Sequence, residues 1–166
     1  REAVVIQMTW PGAPTLYYGD EAGVCGFTDP DNRRTYPWGR EDRELLNFHK
    51  EIIRMHKECE ELRAGSIKSL DRDYNYLAYA RFNNKKHTIV LINNNEHQIE
   101  KTVRVWLAGV AKEAMLTRLM YTDESGYSVE KIEIPVISGK ITVTLPKFSA
   151  MVLRNVAYEE DEENNL

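Results

Sequence analysis

Between Pro11 and Arg40 the chain gathers the side chains best suited to chemistry. PGAPTLYYGDEAG (11–23) sets Asp20 and Glu21 side by side behind Tyr17 and Tyr18, and DPDNRRTYPW (29–38) sets Asp29 and Asp31 against Arg33 and Arg34. Two adjacent carboxylates invite an acid/base reading, but neighbours in extended chain point to opposite sides, so Asp20 and Glu21 are not expected to converge on one reacting atom. An aspartate and an arginine four apart in a loop, such as Asp29 and Arg33, are on spacing alone most simply an internal ion pair. Asp29, Asp31 and Asn32 carry oxygens that suit calcium. An EF-hand loop, however, needs a glycine at its sixth position and an acid at its twelfth, and these are Arg34 and Arg40. His49, His56 and Cys59 fall along one side of a helical stretch, yet residues seven apart lie about 10 Å from each other along a helix, too far for one metal ion. Packing is the expected role of that trio.

The elements that must position these residues follow from periodicity. REAVVIQMTW (1–10) reads as the tail of an amphipathic helix, so the chain is expected to begin mid-structure. PTLYY (14–18), entered from Pro11-Gly12 and left at Gly19, predicts a short buried strand. A loop over Asp20–Arg40, with Gly23, Gly26, Pro30, Pro37 and Gly39, is longer than mere connection requires. Leu45, Leu46, Ile52, Ile53, Cys59 and Leu62 then form a helical stripe, with Asp42 as N-cap and Gly65 as its stop. Past Gly65 the period changes to two, and eight strands are expected: 66–70, 76–82, 88–93, 101–106, 115–121, 127–134, 140–145 and 148–154. Three domain-level pieces result, 1–64, 65–156 and an acidic tail 157–166. One strand, one loop and one helix cannot close an α/β sheet, so the first piece is expected to belong to something larger.

At these residues a resemblance enters. PGAPTLYYGDEAG with DPDNRR, a tryptophan and a helix opening in REL resembles the α-amylase superfamily of glycoside hydrolases, most closely its neopullulanase, cyclomaltodextrinase and maltogenic amylase branch. The resemblance implies a fold class of α/β plus all-β: the terminal piece of a (β/α)₈ TIM barrel (end of helix 7, strand 8, substrate loop, helix 8) followed by an antiparallel Greek-key β-sandwich. It implies a parent that cleaves α-1,4-glucosidic bonds with retention, using a nucleophile and an acid/base carboxylate about 5 Å apart. In the family those two groups and a third catalytic carboxylate sit on barrel strands four, five and seven, whose motifs do not occur in this sequence. No catalytic residue is therefore expected here, and the chain alone is expected to be inactive. The resemblance gives Asp29 and Arg33 a substrate-binding role, reaching sugar hydroxyls. Tyr17 and Tyr18 become pocket-lining or core residues, and Glu21 a structural carboxylate that accepts hydrogen bonds from neighbouring barrel segments. Arg34 is left open between substrate and the loop's own backbone. Thr35, standing where many relatives carry proline, puts the loop's detailed shape outside the pattern.

Composition narrows the partners. Apolar residues make up 42% and charged residues 29% of the 166, a globular balance, and no apolar run reaches the about 18 residues of a membrane span. The run Glu159–Glu163 holds five acidic residues against a net charge of −4, so the body is nearly neutral and the run reads as a solvated tail. Adjacent basic residues occur only as the isolated doublets Arg33-Arg34 and Lys85-Lys86, so nucleic acid is not an expected partner. Cys25 and Cys59 make no framework or metal knuckle and no N-x-[ST] sequon occurs, which points to a cytoplasmic setting. Expected partners are an α-glucan or maltooligosaccharide and the upstream part of the barrel, with no cofactor, no metal and no membrane. The alternative is a non-catalytic carbohydrate-binding or interaction module in which the sandwich does the work. Trp10, Trp38, Trp106, Tyr74, Tyr76 and Tyr79 are the candidates for a sugar-stacking platform there, although aromatic residues in a sandwich are more commonly core.

Overall fold

The computed structural model describes residues 1–156; the expected acidic tail, 157–166, lies outside the described residues. Three helices, α1 (Glu2–Thr9), α2 (Arg43–Glu58) and α3 (Glu60–Ala64), are followed by nine strands: β1 (Ser66–Asp73), β2 (Tyr76–Phe82), β3 (Lys86–Asn93), β4 (Ile99–Arg104), β5 (Ala114–Asp123), β6 (Gly126–Ser128), β7 (Glu133–Val136), β8 (Lys140–Leu145) and β9 (Ser149–Val156). Short 3₁₀ turns occupy Asp20–Ala22 and Val105–Ala108. Among the described residues no helix is long and apolar enough to cross a membrane.

The strands form two antiparallel sheets. The larger runs β1-β2-β3-β9-β5, with β6 and β7 both on the outer edge of β5, and the smaller is β4 paired with β8. Alternation in β2 shows how the large sheet is buried on both faces. Tyr76, Ala78 and Ala80 point into a core shared with Val103, Ile141, Val143 and Leu145 of the small sheet. Tyr79 points the other way, into a second core with Val5 and Met8 of α1, Phe48, Ile52 and Met55 of α2 and Leu62 of α3. β3 contributes Ile89 and Leu91 to the first core and Val90 and Ile92 to the second, so all of His87–Asn93 is buried. In β5 a register shift between Arg118 and Met120 turns the strand over, sending Leu116 to one core and Met120 to the other.

The helices are thus a third layer against the sandwich, fastened by buried polar contacts. Arg81, 1% exposed, donates from Nη1 to Thr9 O at 2.8 Å and from Nη2 to Gly65 O at 2.9 Å. Glu61, fully buried, accepts from Thr88 Oγ1 at 2.7 Å and from Arg154 Nε and Nη2 at 2.7 and 3.1 Å. Burial pushes the Glu61 carboxyl up, but these donors outweigh it and its pKa lies below the ordinary 4.5.

Four expectations change. PTLYY forms no strand, because among the described residues no other strand lies beside it to supply ladder hydrogen bonds, and Tyr17 and Tyr18 stand about half exposed rather than buried. The helix from Asp42 breaks at Cys59, whose extended ψ of 97° ends α2 and starts α3; the break swings Glu61 and Leu62 onto β2 and β3. The expected strand 127–134 splits into β6 and β7, since its two ends pair with different stretches of β5. The strand expected to reach Trp106 stops at Arg104, and Trp106 sits in the 3₁₀ turn. Asp42 does cap α2, accepting from Leu45 N at 3.0 Å.

Candidate substrate-binding loop

The loop begins at a tight reversal. Gly19, at φ 92°, opens the 3₁₀ turn Asp20–Ala22 and Gly23, at φ 77°, closes it. Left-handed backbone favours glycine, and a Cβ on Gly19 would also meet Val24 at 2.8 Å. The turn is anchored at both ends, by Val24 N on Gly19 O at 2.9 Å and by Asp42 N on Ala22 O at 3.1 Å, which couples it to the start of α2. Glu21 turns its carboxylate back on the Gly19 amide, Oε2 accepting at 3.0 Å. Within this chain its donor belongs to its own turn. Upstream, the Gln7 side chain donates to Thr15 O and ties the 14–18 segment to α1.

From Phe27 to Arg34 the chain folds on itself. Asp31 N donates to Thr28 O at 2.8 Å and Arg33 N to Pro30 O at 3.0 Å. Two ion pairs decorate this turn. Asp29 Oδ1 meets Arg33 Nε at 2.6 Å, with side chains 59% and 68% exposed; Asp31 Oδ1 meets Arg34 Nη2 at 2.7 Å and Nε at 3.1 Å. The hydrogen bond from Arg34 holds the Asp31 carboxyl below its ordinary pKa. Tyr18 Oη donates to Arg34 O at 3.0 Å, tying the turn to the tyrosine pair, whose rings lie 4.8 Å apart. Beyond the turn, Tyr36 and Trp38 pack ring to ring at 4.5 Å, with Trp38 81% exposed. A concavity of about 590 Å³, lined by residues that include Val24, Cys25, Arg34, Thr35, Pro37 and Arg40, lies between the 3₁₀ turn and the loop.

The structure therefore brings Asp29 and Arg33 together and puts Tyr18 in contact with the same turn, while Glu21 serves the adjacent reversal. Arg34, left open by the sequence between substrate and the loop's own backbone, is bonded to the Asp31 side chain. Among the described residues no group of three or more His, Cys, Asp or Glu is placed to hold a metal ion. His49 and His56 instead direct Nδ1 to the carbonyls of Leu45 and Met8, at 2.8 and 2.7 Å, and burial pushes the Cys59 thiol up to about 11. Of the aromatic candidates in the sandwich, Tyr76 and Tyr79 are core, whereas Tyr74 is 86% and Trp106 47% exposed. A larger groove, about 1270 Å³, opens at the far end of the sandwich between the starts of β3 and β5, lined in part by His87, Met115, Pro135 and Asn155; nothing in the sequence pattern announced it.

Comparison with known proteins meets this architecture. Residues 67–156 match the family described as alpha amylase, C-terminal all-beta domain. An amylopullulanase of Thermoanaerobacter thermohydrosulfuricus is 36% identical over 155 residues, covering 86% of this chain and 10% of that protein. Neopullulanase 2 of Thermoactinomyces vulgaris is 32% identical over 159 residues, 93% of this chain and 25% of that protein. The chain thus spans between a tenth and a quarter of the length of these two relatives. Among solved structures, an α-amylase of Anoxybacillus superposes with a TM-score of 0.80 over 95% of this chain and 32% of its own, at 22% identity, a likeness of fold. A cyclomaltodextrinase superposes at 0.71 over 91% of this chain and 25% of its own, at 26% identity. With more than half of its residues matched and a two-sheet antiparallel fold to go with them, the chain belongs to the family of the α-amylase C-terminal all-β domain.

Proposed function

We propose that this chain is the C-terminal part of a retaining α-glucan hydrolase that acts on α-1,4-linked glucosyl units. In this reading residues 1–64 complete a (β/α)₈ barrel: α1 ends its seventh helix, residues 14–18 are its eighth strand, residues 20–40 form a substrate loop, and α2 with α3 is its eighth helix. Residues 65–156 pack behind it. The catalytic carboxylates belong to strands whose motifs this sequence does not contain, so the chain binds part of the substrate and does not cleave it. The unpaired PTLYY segment supports the barrel assignment, because it has the composition of a strand and, among the described residues, no strand beside it. Relatives named amylopullulanase and neopullulanase support the substrate class.

The observation that carries the reading is the Asp29–Arg33 pair, displayed at 2.6 Å on an exposed turn that Tyr18 holds in place. A carboxylate accepts from two vicinal hydroxyls and a guanidinium donates to them in one plane, and such charge-assisted hydrogen bonds are the stronger kind. The pair is exposed, so a sugar reaches it without breaking a buried bond. The test is Asp29→Ala and Arg33→Ala in the complete protein, assayed on maltooligosaccharides. Each is expected to lower kcat/KM mainly through KM; unchanged kinetics in both would remove the assignment.

A further inference from the structure

The adjacent arginines Arg33 and Arg34 pair with different aspartates, Asp29 and Asp31. We propose that Arg34 is a positioning residue: through Asp31 it clamps the turn that presents Asp29 and Arg33, and it does not itself contact the sugar. The inference rests on the reading of Asp29 and Arg33 as sugar-binding residues. Arg34 spends Nε and Nη2 on one oxygen of Asp31, at 3.1 and 2.7 Å, while the other oxygen of Asp31 accepts from Phe27 N at 3.1 Å. Its own carbonyl takes the Tyr18 hydroxyl at 3.0 Å. Residues 18, 27, 31 and 34 are thereby linked in one chain of contacts, and Asp29 and Arg33 lie within the segment it closes. Gly26 shows independently how tightly this segment shuts, since a Cβ there would come within 2.6 Å of Asn32 Cα and 3.0 Å of Asp31 O. A guanidinium engaged through two nitrogens on a local carboxylate is oriented by that carboxylate.

The experiment uses the ¹⁵N-labelled complete protein, held at a low temperature that stops turnover, with amide exchange and maltotriose titration followed by NMR. Arg34→Ala is expected to speed exchange of the Phe27, Asp31 and Arg33 amides by about fivefold, the scale of an exposed ion pair, and to leave β3 amides unchanged. It is also expected to weaken the maltotriose response at Arg33 Nε, with Arg34→Lys recovering part of both effects. Asp29→Ala is expected to abolish the maltotriose response and leave exchange as it was. Unchanged exchange in Arg34→Ala overturns the clamp, and a maltotriose shift at Arg34 Nε as large as that at Arg33 overturns its separation from the ligand. A wild-type chain that shows no maltotriose response defeats the sugar reading, while the exchange result still decides whether Arg34 holds the turn.

Discussion

Replacing Glu61 by alanine tests how the helices and the sandwich are joined. The carboxylate is fully buried and takes three hydrogen bonds, from Thr88 and from two nitrogens of Arg154. Truncation leaves a guanidinium facing an apolar gap and a threonine hydroxyl without its acceptor. Breaking a buried pair by removing one partner costs about 3–5 kcal/mol. The Arg154 side chain keeps 17% of its surface in solvent, so the loss is expected near the lower end, about 3 kcal/mol, or about 10 °C in Tm for a chain of this length. Urea unfolding followed by circular dichroism should show the midpoint falling at constant m. Glu61→Gln, which keeps an acceptor for Thr88 but no charge for Arg154, should fall between. The pH dependence adds a second reading. The folded state holds Glu61 below the ordinary 4.5, so the unfolded chain binds this proton first as pH drops. The stabilisation is complete above the unfolded value and disappears as pH falls through the folded one, and Glu61→Gln should flatten that acid limb. A loss for Glu61→Ala below about 1 kcal/mol, the level of an exposed pair, would refute the reasoning.

Two further measurements follow from packing and burial. Gly65→Ala should cost about 2–3 kcal/mol, because a Cβ would sit 2.3 Å from Glu61 O and 2.7 Å from Phe82 O, both backbone atoms, while its φ of −79° is ordinary; a loss under about 0.5 kcal/mol would place it with neutral surface changes. A thiol reagent at mild alkaline pH should label exposed Cys25 and spare Cys59, buried and pushed up to about 11, until the chain unfolds. Equal labelling rates in the native protein would contradict the burial of Cys59.

What could be read from the sequence was whatever local chemistry determines. Asp42 announces a helix start because its side chain caps three residues on, and the alternation in 76–82 announces two faces. PTLYY has strand composition, but pairing depends on neighbours that composition cannot supply. The break at Cys59 carries no glycine or proline, so nothing in the helical stripe marks it. Glu61 looks like any solvated glutamate in ECEELR, because its partners stand 27 and 93 residues further along the chain. HTIVLIN shows an unbroken apolar run, yet which layer covers each face is a tertiary matter. In the loop, four-residue spacing was enough to bring Asp29 to Arg33, whereas the match of Asp31 to Arg34 depends on the fold of the turn between them.

The double-sided burial of β3 bears on how such proteins can be recombined. A module boundary drawn at Gly65, where the periodicity changes, passes through a wall that both sides share. Exchanging residues 66–156 alone for those of a relative would ask α2 and α3 to dock on an unmatched sheet, with Arg81, Thr88 and Arg154 replaced independently of Thr9 and Glu61. A crossover set in the exposed stretch between Val24 and Arg40 would move α2 and α3 with their sheet and keep Glu61, Thr88 and Arg154 in one parent, leaving the Arg81–Thr9 bond, Arg1, whose guanidinium reaches Thr122 and the Asp123 carbonyl, and the α1 contacts as the interface to be rematched.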